Sequence, residues 1–276
     1  MTAAHGILAP IAKRFAGGLV AQIAPQCRYD RALFLLGHMR CGSTALSHVL
    51  CAHPTISGYG EAHIRYANRE ALGLLLINQW RRGEFKYGTH SLFDKILHGR
   101  YDAAAPDEFF KARAIFLIRA PEQSILSIRK LFATLDTGEY ATDELAADYY
   151  EERLTQLAAT WNRFAPHRRI GLTYEALTKV PDATLARISS VMELSPVLAN
   201  AYNRDGKVMP RGAGDPLSSH KFNAIVPSSE SSTLDPARRG PDLAPGRLTA
   251  LVALYQQIGQ LFANTAETAT TGNDRL

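Results

Sequence analysis

The stretch FLLGHMRCGSTAL, Phe34 to Leu46, decides the fold of this chain. It opens with an apolar run, breaks at Gly37, passes the basic residue Arg40 and becomes apolar again after Thr44. A short continuous apolar run followed by glycine and by small polar residues is typical of a buried strand, a turn and the start of a helix. The stretch therefore predicts a strand that leads through a loop into a helix.

The glycines of this loop have the spacing of a phosphate-binding loop. The nucleotide-triphosphate motif reads G-x-x-x-x-G-K-[ST], and its lysine contacts the terminal phosphates. Gly37 and Gly42 match the motif and Thr44 takes the hydroxyl position, but Ser43 stands where the lysine should be. Between a strand and a helix, such a loop would turn its N–H groups and hydroxyls toward an anion, with Arg40 as the fixed positive charge. A plain strand-to-helix turn is the alternative.

Two more apolar runs share the character of Ala32 to Gly37, namely Ala114 to Arg119 and Arg169 to Tyr174. All three are continuous rather than alternating, which is typical of strands buried on both faces. This pattern predicts an α/β fold, a single domain with a central parallel β-sheet flanked by helices. The helices are expected at Ser43 to Cys51, Pro121 to Phe132 and Asp143 to Phe164, and from near Pro181 and Pro245.

The composition is that of an ordinary globular protein. The chain has 276 residues, of which 46% are hydrophobic and 21% charged, so it can form one large domain. Its formal net charge of +5 favours an anionic ligand, but this charge is too small and too scattered to indicate nucleic-acid binding. We therefore expect no nucleic-acid partner.

The cysteines and the N-terminal region indicate the cellular compartment in which the protein is expected. The chain has an odd number of cysteines without a C-x-x-C pair, so neither a disulfide framework nor a zinc site is indicated, and no metal is expected. The stretch Ile7 to Ala24 is interrupted by two basic residues, so the sequence supports neither a transmembrane segment nor a secretory signal. We expect a cytoplasmic protein.

An amphipathic helix is predicted in an N-terminal extension, residues 1–28. We expect it to pack on the domain rather than on a membrane surface. The domain itself is expected at residues 29–264, followed by a frayed tail at 265–276, and a homodimer is left open. The apolar stripe of the helix recurs every four residues: Ile7, Ile11, Phe15, Leu19 and Ile23.

A second anion-binding element follows the strand Ala114 to Arg119. Pro121 then opens a helix that carries Ser127. An arginine at a strand end and a serine two turns into the next helix can hold one phosphate together. Taken alone, the pair is better explained by an arginine that caps a sheet edge and a serine on a solvated face.

Together, the two elements resemble the sulfotransferases that use 3'-phosphoadenosine 5'-phosphosulfate (PAPS). In that family a loop like RCGST takes the 5'-phosphosulfate, and an R-x-P strand end, with a serine eight residues after the arginine, takes the 3'-phosphate. The resemblance implies a P-loop-NTPase-like sulfotransferase fold, PAPS as co-substrate, adenosine 3',5'-bisphosphate as product and no metal. The residues that it assigns to PAPS are Arg40, Cys41, Gly42, Ser43, Thr44, Arg119 and Ser127.

Two later segments extend the resemblance. LTYEAL, Leu172 to Leu177, is similar to the family's strand-to-loop segment near the adenine, which adds Tyr174 to the nucleotide site. RGAGDP, which begins with Arg211 and Gly212, is similar to the late loop that closes over the nucleotide. It departs from the commoner R-x-G-x-x-G-D pattern because Gly212 follows Arg211 directly.

The reaction implied by the resemblance is in-line transfer of a sulfuryl group to a hydroxyl, which requires a general base. Glu61 in HPTISGYGEAH matches the glutamate base of Golgi-type carbohydrate and protein-tyrosine sulfotransferases. His90 in KYGTHSL is similar instead to the K-T-H segment of cytosolic sulfotransferases, whose histidine is the base. We favour Glu61 because its surrounding match is longer. The acceptor, whether carbohydrate, tyrosyl or phenolic group or small alcohol, is left open, and we expect residues 64–101 and 218–240 to line its pocket.

A P-loop kinase or NTPase is the alternative function. It would need a lysine at position 43 and an acidic magnesium ligand at a strand end, whereas the predicted strands end in Gly37, Arg119 and Tyr174. A binding protein that had kept the fold without activity would be expected to lack Arg40 or Glu61, and both are present.

Overall fold

Five parallel strands form one sheet in the computed structural model, which describes residues 14–202, 223–226 and 240–270. The order across the sheet is β2-β3-β1-β4-β5, so β1 lies at the centre between β3 and β4. The carboxyl ends of all five strands therefore lie at one edge. The strands are β1 (Ala32–Gly37), β2 (Ile56–Ser57), β3 (Ser91–Ile96), β4 (Arg113–Ile118) and β5 (Arg169–Thr173).

Helices cover both faces of the sheet, which confirms the predicted α/β architecture. On one face, α2, α7 and α8 pack against the strands, and on the other face α3, α5, α6 and α9 do so. No helix in the described ranges is both long enough and apolar enough to cross a membrane. The helices are α1 (residues 14–23), α2 (Ser43–Ala52), α3 (Glu70–Arg81), α4 (Gly99–Asp102), α5 (Pro121–Leu135), α6 (Asp143–Trp161), α7 (Tyr174–Lys179), α8 (Pro181–Val191) and α9 (Arg247–Thr270).

The central strand β1 explains why its sequence is a continuous apolar run. Leu33 and Leu35 belong to the hydrophobic cluster on one face, and Phe34 and Leu36 belong to the cluster on the other. Because successive side chains of a strand point to opposite faces, a strand covered on both sides needs apolar residues at every position. The loop that follows β1 therefore starts from the middle of the sheet.

Most predicted elements agree with the structure to within a few residues, but the strands β2 and β3 and the helices α3, α4 and α7 were not predicted. β3 reads SLFDKI and contains two adjacent charged residues, so it does not look like a buried apolar strand. At the C-terminal end, α9 continues through Thr270, so the expected domain boundary at residue 264 falls inside a helix.

The described part of the N-terminal helix, α1, packs against α3. A Cβ at Gly73 would lie 1.9 Å from the carbonyl oxygen of Gly17, so the two helices touch through their glycines. The predicted apolar stripe does not make this contact, because Phe15, Leu19 and Ile23 are exposed. The small residues of the opposite face form the contact instead.

A buried ion pair joins α6 to α4, beside the ends of two strands. The Arg153 guanidinium donates to both carboxylate oxygens of Asp102, at 2.8 and 3.0 Å, and both side chains are almost fully buried. The same guanidinium donates to the carbonyls of Gly37 and Ile96, each at 2.9 Å. Arg153 therefore ties the carboxyl ends of β1 and β3 to one helix.

We expect Arg153→Leu to lower the free energy of unfolding by about 3–5 kcal/mol, because it leaves the buried Asp102 carboxylate without its partner. Denaturant unfolding measures this loss. Arg163→Leu is the control, because Arg163 pairs with Asp107 in solvent and its loss should cost less than about 1 kcal/mol. Equal losses for the two variants would contradict the expectation.

Candidate active site

The loop after β1 leads directly into the N-terminus of α2. Arg40 has a φ of 66° and Gly42 a φ of 88°, so two left-handed residues turn the chain sharply between strand and helix. A Cβ at Gly42 would lie 2.5 Å from Cδ2 of Tyr174, so the ring of Tyr174 lies directly on the loop. No side chain among the described residues caps the α2 N-terminus. Its N–H groups and positive dipole end are therefore suited to an anion.

Arg119 follows β4, the strand next to β1, and contacts this loop. Its Nη1 donates to the Arg40 carbonyl at 3.2 Å, and its guanidinium lies over the Tyr174 ring at 4.2 Å. Among the described residues, its buried Nε has no hydrogen-bond partner. A buried donor that the protein leaves unpaired is costly, so it marks a place where a ligand atom would be favourable.

Ser127 lies beside Arg40. From the second turn of α5, its hydroxyl accepts a hydrogen bond from Nε of Arg40 at 2.8 Å. Arg40, Arg119 and Ser127 thus form one connected group, although the sequence places the first of them far from the other two. Both arginines bring positive charge to the loop after β1, which favours an anion beside it.

His38, a histidine in the same loop, has a structural role. Its Nε2 accepts the backbone N–H of Arg119 at 3.0 Å, so Nδ1 carries the proton and donates to the Met39 carbonyl at 2.8 Å. Burial lowers the pKa of His38 to about 3, so the ring is neutral at physiological pH. It holds the chain at Arg119 in place and has no ring nitrogen left for a substrate.

Lys95 is the site residue that sequence reasoning missed. It lies near the carboxyl end of β3, is almost fully buried, and its Nζ lies 3.5 Å from the Thr44 hydroxyl. No ion pair joins Lys95 to a carboxylate in the part of the chain that the structure describes. An ammonium buried without a counter-charge beside an anion-binding helix is suited to an anionic ligand. A lysine inside an otherwise apolar strand is the sequence signal that could have revealed it.

Glu61 lies at the same edge of the sheet, just beyond the end of β2. The carbonyl of the preceding Gly60 accepts the N–H of Lys95 at 3.2 Å, and the N–H of the following Ala62 donates to the Asp94 side chain at 2.8 Å. The Glu61 side chain is 18% exposed, and its carboxylate lies 3.7 Å from Nε2 of His63. The carboxylate is thus accessible and belongs to a segment attached to the strand that carries Lys95.

His90 lies at the other edge of the sheet. It immediately precedes β3, and its N–H donates to Thr55, after the C-terminal end of α2. A six-residue strand is about 20 Å long, so the structure does not bring His90 to the loop. Lys86, of the same segment, donates to the Cys51 and His53 carbonyls and so caps the C-terminus of α2.

The aromatic residues of the segment 64–101, which is expected to line the acceptor pocket, have different surroundings. Phe93 is a core residue of β3 and Phe85 is partly buried, whereas Trp80 and Tyr87 are 62% and 85% exposed. Arg211 and Gly212 of the expected late loop, and most of the expected acceptor-lining segment 218–240, lie outside the described residues.

Comparison with protein families gives one match. The model of the Sulfotransferase family matches residues 103–196, about a third of the chain. This range includes Arg119, Ser127 and Tyr174 but neither the loop after β1 nor Glu61. No curated protein matches the chain.

Solved structures give a longer likeness. The sulfotransferase domain from the curacin biosynthetic pathway has a TM-score of 0.56 and 17% identity, over 81% of this chain and 96% of that domain. The sulfotransferase domain of the Synechococcus PCC 7002 olefin synthase has a TM-score of 0.57 and 18% identity, over 82% and 94%. The fold of this chain is thus a sulfotransferase fold.

We expect Gly42→Ala to lower the free energy of unfolding by about 2–4 kcal/mol, because a left-handed residue gains a side chain that collides with Tyr174. Denaturant unfolding measures the loss. Gly83→Ala is the matched control, because Gly83 also has a positive φ, 71°, while no described atom lies within 4 Å of the Cβ position. Gly83→Ala should cost about 1 kcal/mol. Equal costs for both variants would exclude a collision at Gly42.

Proposed function

We propose that this chain transfers the sulfuryl group of PAPS to a hydroxyl acceptor, because the Sulfotransferase family model matches residues 103–196 and two sulfotransferase domains share the fold. The observation that carries the proposal is that Arg40, Lys95 and Arg119 lie around the loop after β1 and the N-terminus of α2. Three cations near the positive end of a helix dipole favour an anion of high charge density. A nucleotide with phosphate and sulfate groups fits this requirement.

The residues of the site divide between the two ends of the nucleotide. The α2 N-terminal N–H groups, with the Ser43 and Thr44 hydroxyls, would hold the 5'-phosphosulfate. Arg119, whose buried Nε lacks a partner among the described residues, and Ser127 would hold the 3'-phosphate. The Arg40 side chain, hydrogen-bonded to Ser127, connects the two groups.

Lys95 and Arg40 would stabilise the charge that develops during transfer. PAPS, when bound, supplies an activated sulfuryl group whose departure leaves negative charge on a phosphate oxygen. Lys95 Nζ lies 3.5 Å from the Thr44 hydroxyl, so this ammonium would face the same anion as the loop. Fixed positive groups in a buried site stabilise such charge without reorganisation. Here a lysine from β3 would provide the positive charge that a nucleotide-triphosphate loop obtains from its own lysine.

Glu61 would serve as the general base. The carboxylate must take the proton of the acceptor hydroxyl as that oxygen attacks, so it needs access to solvent and proximity to the loop. Glu61 has both, since its side chain is partly exposed and its segment is hydrogen-bonded to the end of β3. His90 is exposed to solvent, but it lies at the opposite edge of the sheet from the loop.

The kinase or NTPase alternative has less support. Asp94 is the acidic residue of β3, but its two carboxylate oxygens accept hydrogen bonds from Ala62, Lys95 and Tyr66 in the interior. It is therefore poorly placed as a magnesium ligand. Among the described residues, no group of three or more metal-binding side chains forms a cluster.

Calorimetric titration with adenosine 3',5'-bisphosphate tests the nucleotide site. We expect micromolar binding, weakened about 10–100-fold by Arg119→Ala, because a charge-assisted hydrogen bond contributes about 1.5–3 kcal/mol. Arg163→Ala, which removes an arginine paired with Asp107 elsewhere on the surface, should bind normally. Tight binding of ATP with magnesium and none of the bisphosphate would favour the kinase alternative instead.

Steady-state kinetics with PAPS and a screened hydroxyl acceptor test the base. Glu61→Gln should lower kcat by about 10²-fold or more with little change in bisphosphate affinity, because the amide keeps the shape of the side chain but takes no proton. His90→Gln is the matched control and should keep the wild-type kcat. An inactive His90→Gln beside an active Glu61→Gln would reverse the assignment.

A further inference from the structure

Asp94 is a buried carboxylate that the proposed reaction does not use. It is 1% exposed, yet three donors surround it. Its Oδ1 accepts the N–H groups of Ala62 and Lys95, each at 2.8 Å, and its Oδ2 accepts the Tyr66 hydroxyl at 2.7 Å. Burial raises the pKa of Asp94 to about 7 in spite of these hydrogen bonds, which indicates how costly a carboxylate is at this position.

The position of Asp94 in β3 explains which segment it can reach. Successive side chains of a strand point to opposite faces. Lys95 extends toward Thr44 and α2, whereas Asp94 lies on the other face with Tyr66, whose ring packs on Phe34 at 4.9 Å. The segment from Ala62 to Tyr66 follows Glu61, and the Asp94 carboxylate accepts a hydrogen bond from each end of this segment.

Two hydrogen bonds from β3 bracket Glu61. β2 pairs with β3 only at Ile56 and Ser57, and the ladder then ends. Beyond it, the Gly60 carbonyl accepts the Lys95 N–H on one side of Glu61, and Asp94 accepts the Ala62 N–H on the other. The carboxylate of Asp94 thus takes the place of a strand carbonyl and holds the backbone on the C-terminal side of Glu61.

We infer that Asp94 is a positioning residue that holds the Glu61 backbone at the distance from Lys95 and the loop that proton transfer requires. The inference rests on the proposed function. Errors of about 1 Å in the placement of a catalytic group can cost about 10²-fold in rate. Asp94 would therefore affect kcat through Glu61, while the nucleotide site, on the other face of β3, would not depend on it.

A kinetic double-mutant cycle tests this coupling. Asp94→Ala should lower kcat about 10–100-fold with the KM for PAPS within about twofold of wild type. In a Glu61→Gln background the same change should have almost no further effect, because the group that Asp94 positions is already inactive. Combined with Arg119→Ala, it should retain its full effect. If Asp94→Ala lowered kcat by the same factor in the Glu61→Gln background as in the wild type, the inference would be overturned.

The conservative variant separates positioning from folding. The carboxamide oxygen of Asp94→Asn can still accept the Ala62 N–H, so this variant should recover kcat to within about fivefold of wild type. If Asp94→Ala does not fold, the same cycle is run with Asp94→Asn, and the smaller effect must still vanish in the Glu61→Gln background. An effect that persists there would overturn the inference.

Amide hydrogen exchange tests the anchor without reference to catalysis. In the full chain, Asp94→Ala should speed exchange about tenfold or more in peptides covering residues 58–66 and leave peptides covering residues 37–44 unchanged. Unchanged exchange at residues 58–66 would overturn the inference. If wild-type protein transfers no sulfuryl group from PAPS, the proposed function fails and the catalytic role of Asp94 fails with it, whereas the exchange result still decides whether Asp94 anchors the segment.

Discussion

The guanidinium of Arg153 is the contact on which the site depends most. From α6 it reaches the carbonyls of Gly37 and Ile96, the points where β1 and β3 end and their loops begin. Two neighbours in α6 make similar contacts. The Tyr149 hydroxyl accepts the Met39 N–H and donates to the Leu97 carbonyl, and the Tyr150 hydroxyl donates to the Arg119 carbonyl. One helix thus holds the ends of three adjacent strands and satisfies backbone groups that the sheet leaves unpaired.

This arrangement explains how residues distant in sequence form one site. The strands β3, β1 and β4 are neighbours, and each contributes one cation at or just after its carboxyl end: Lys95, Arg40 and Arg119. In parallel sheets, ligands bind at this edge where the order of the strands reverses, and β1 is that point here. The charges therefore converge because of the topology.

The sequence was sufficient to predict the strands that are apolar throughout and the loop between β1 and α2. It was insufficient for β3, because Asp94 and Lys95 break the apolar pattern on which strand prediction relies. Because β3 was not predicted, the sequence did not show that His90 lies before a strand, and His90 remained a candidate base. A motif of three residues does not indicate whether it precedes or follows a strand. Its position matters here, because the loop after β1 lies at the carboxyl edge of the sheet and His90 lies at the amino edge. Glu61 was favoured because the match around it is longer and includes its distance in sequence from the loop, and its role as base stays a prediction.

The adjacency of Asp94 and Lys95 also limits how this chain can change in length. Because they point to opposite faces, a deletion or insertion of one residue within β3 would exchange their environments. The ammonium would enter the interior beside Tyr66, and the carboxylate would face the loop after β1. The exposed turn at Gly83, by contrast, has space for additional residues. Natural variation in chain length is therefore expected in the connection before β3 and not within the strand.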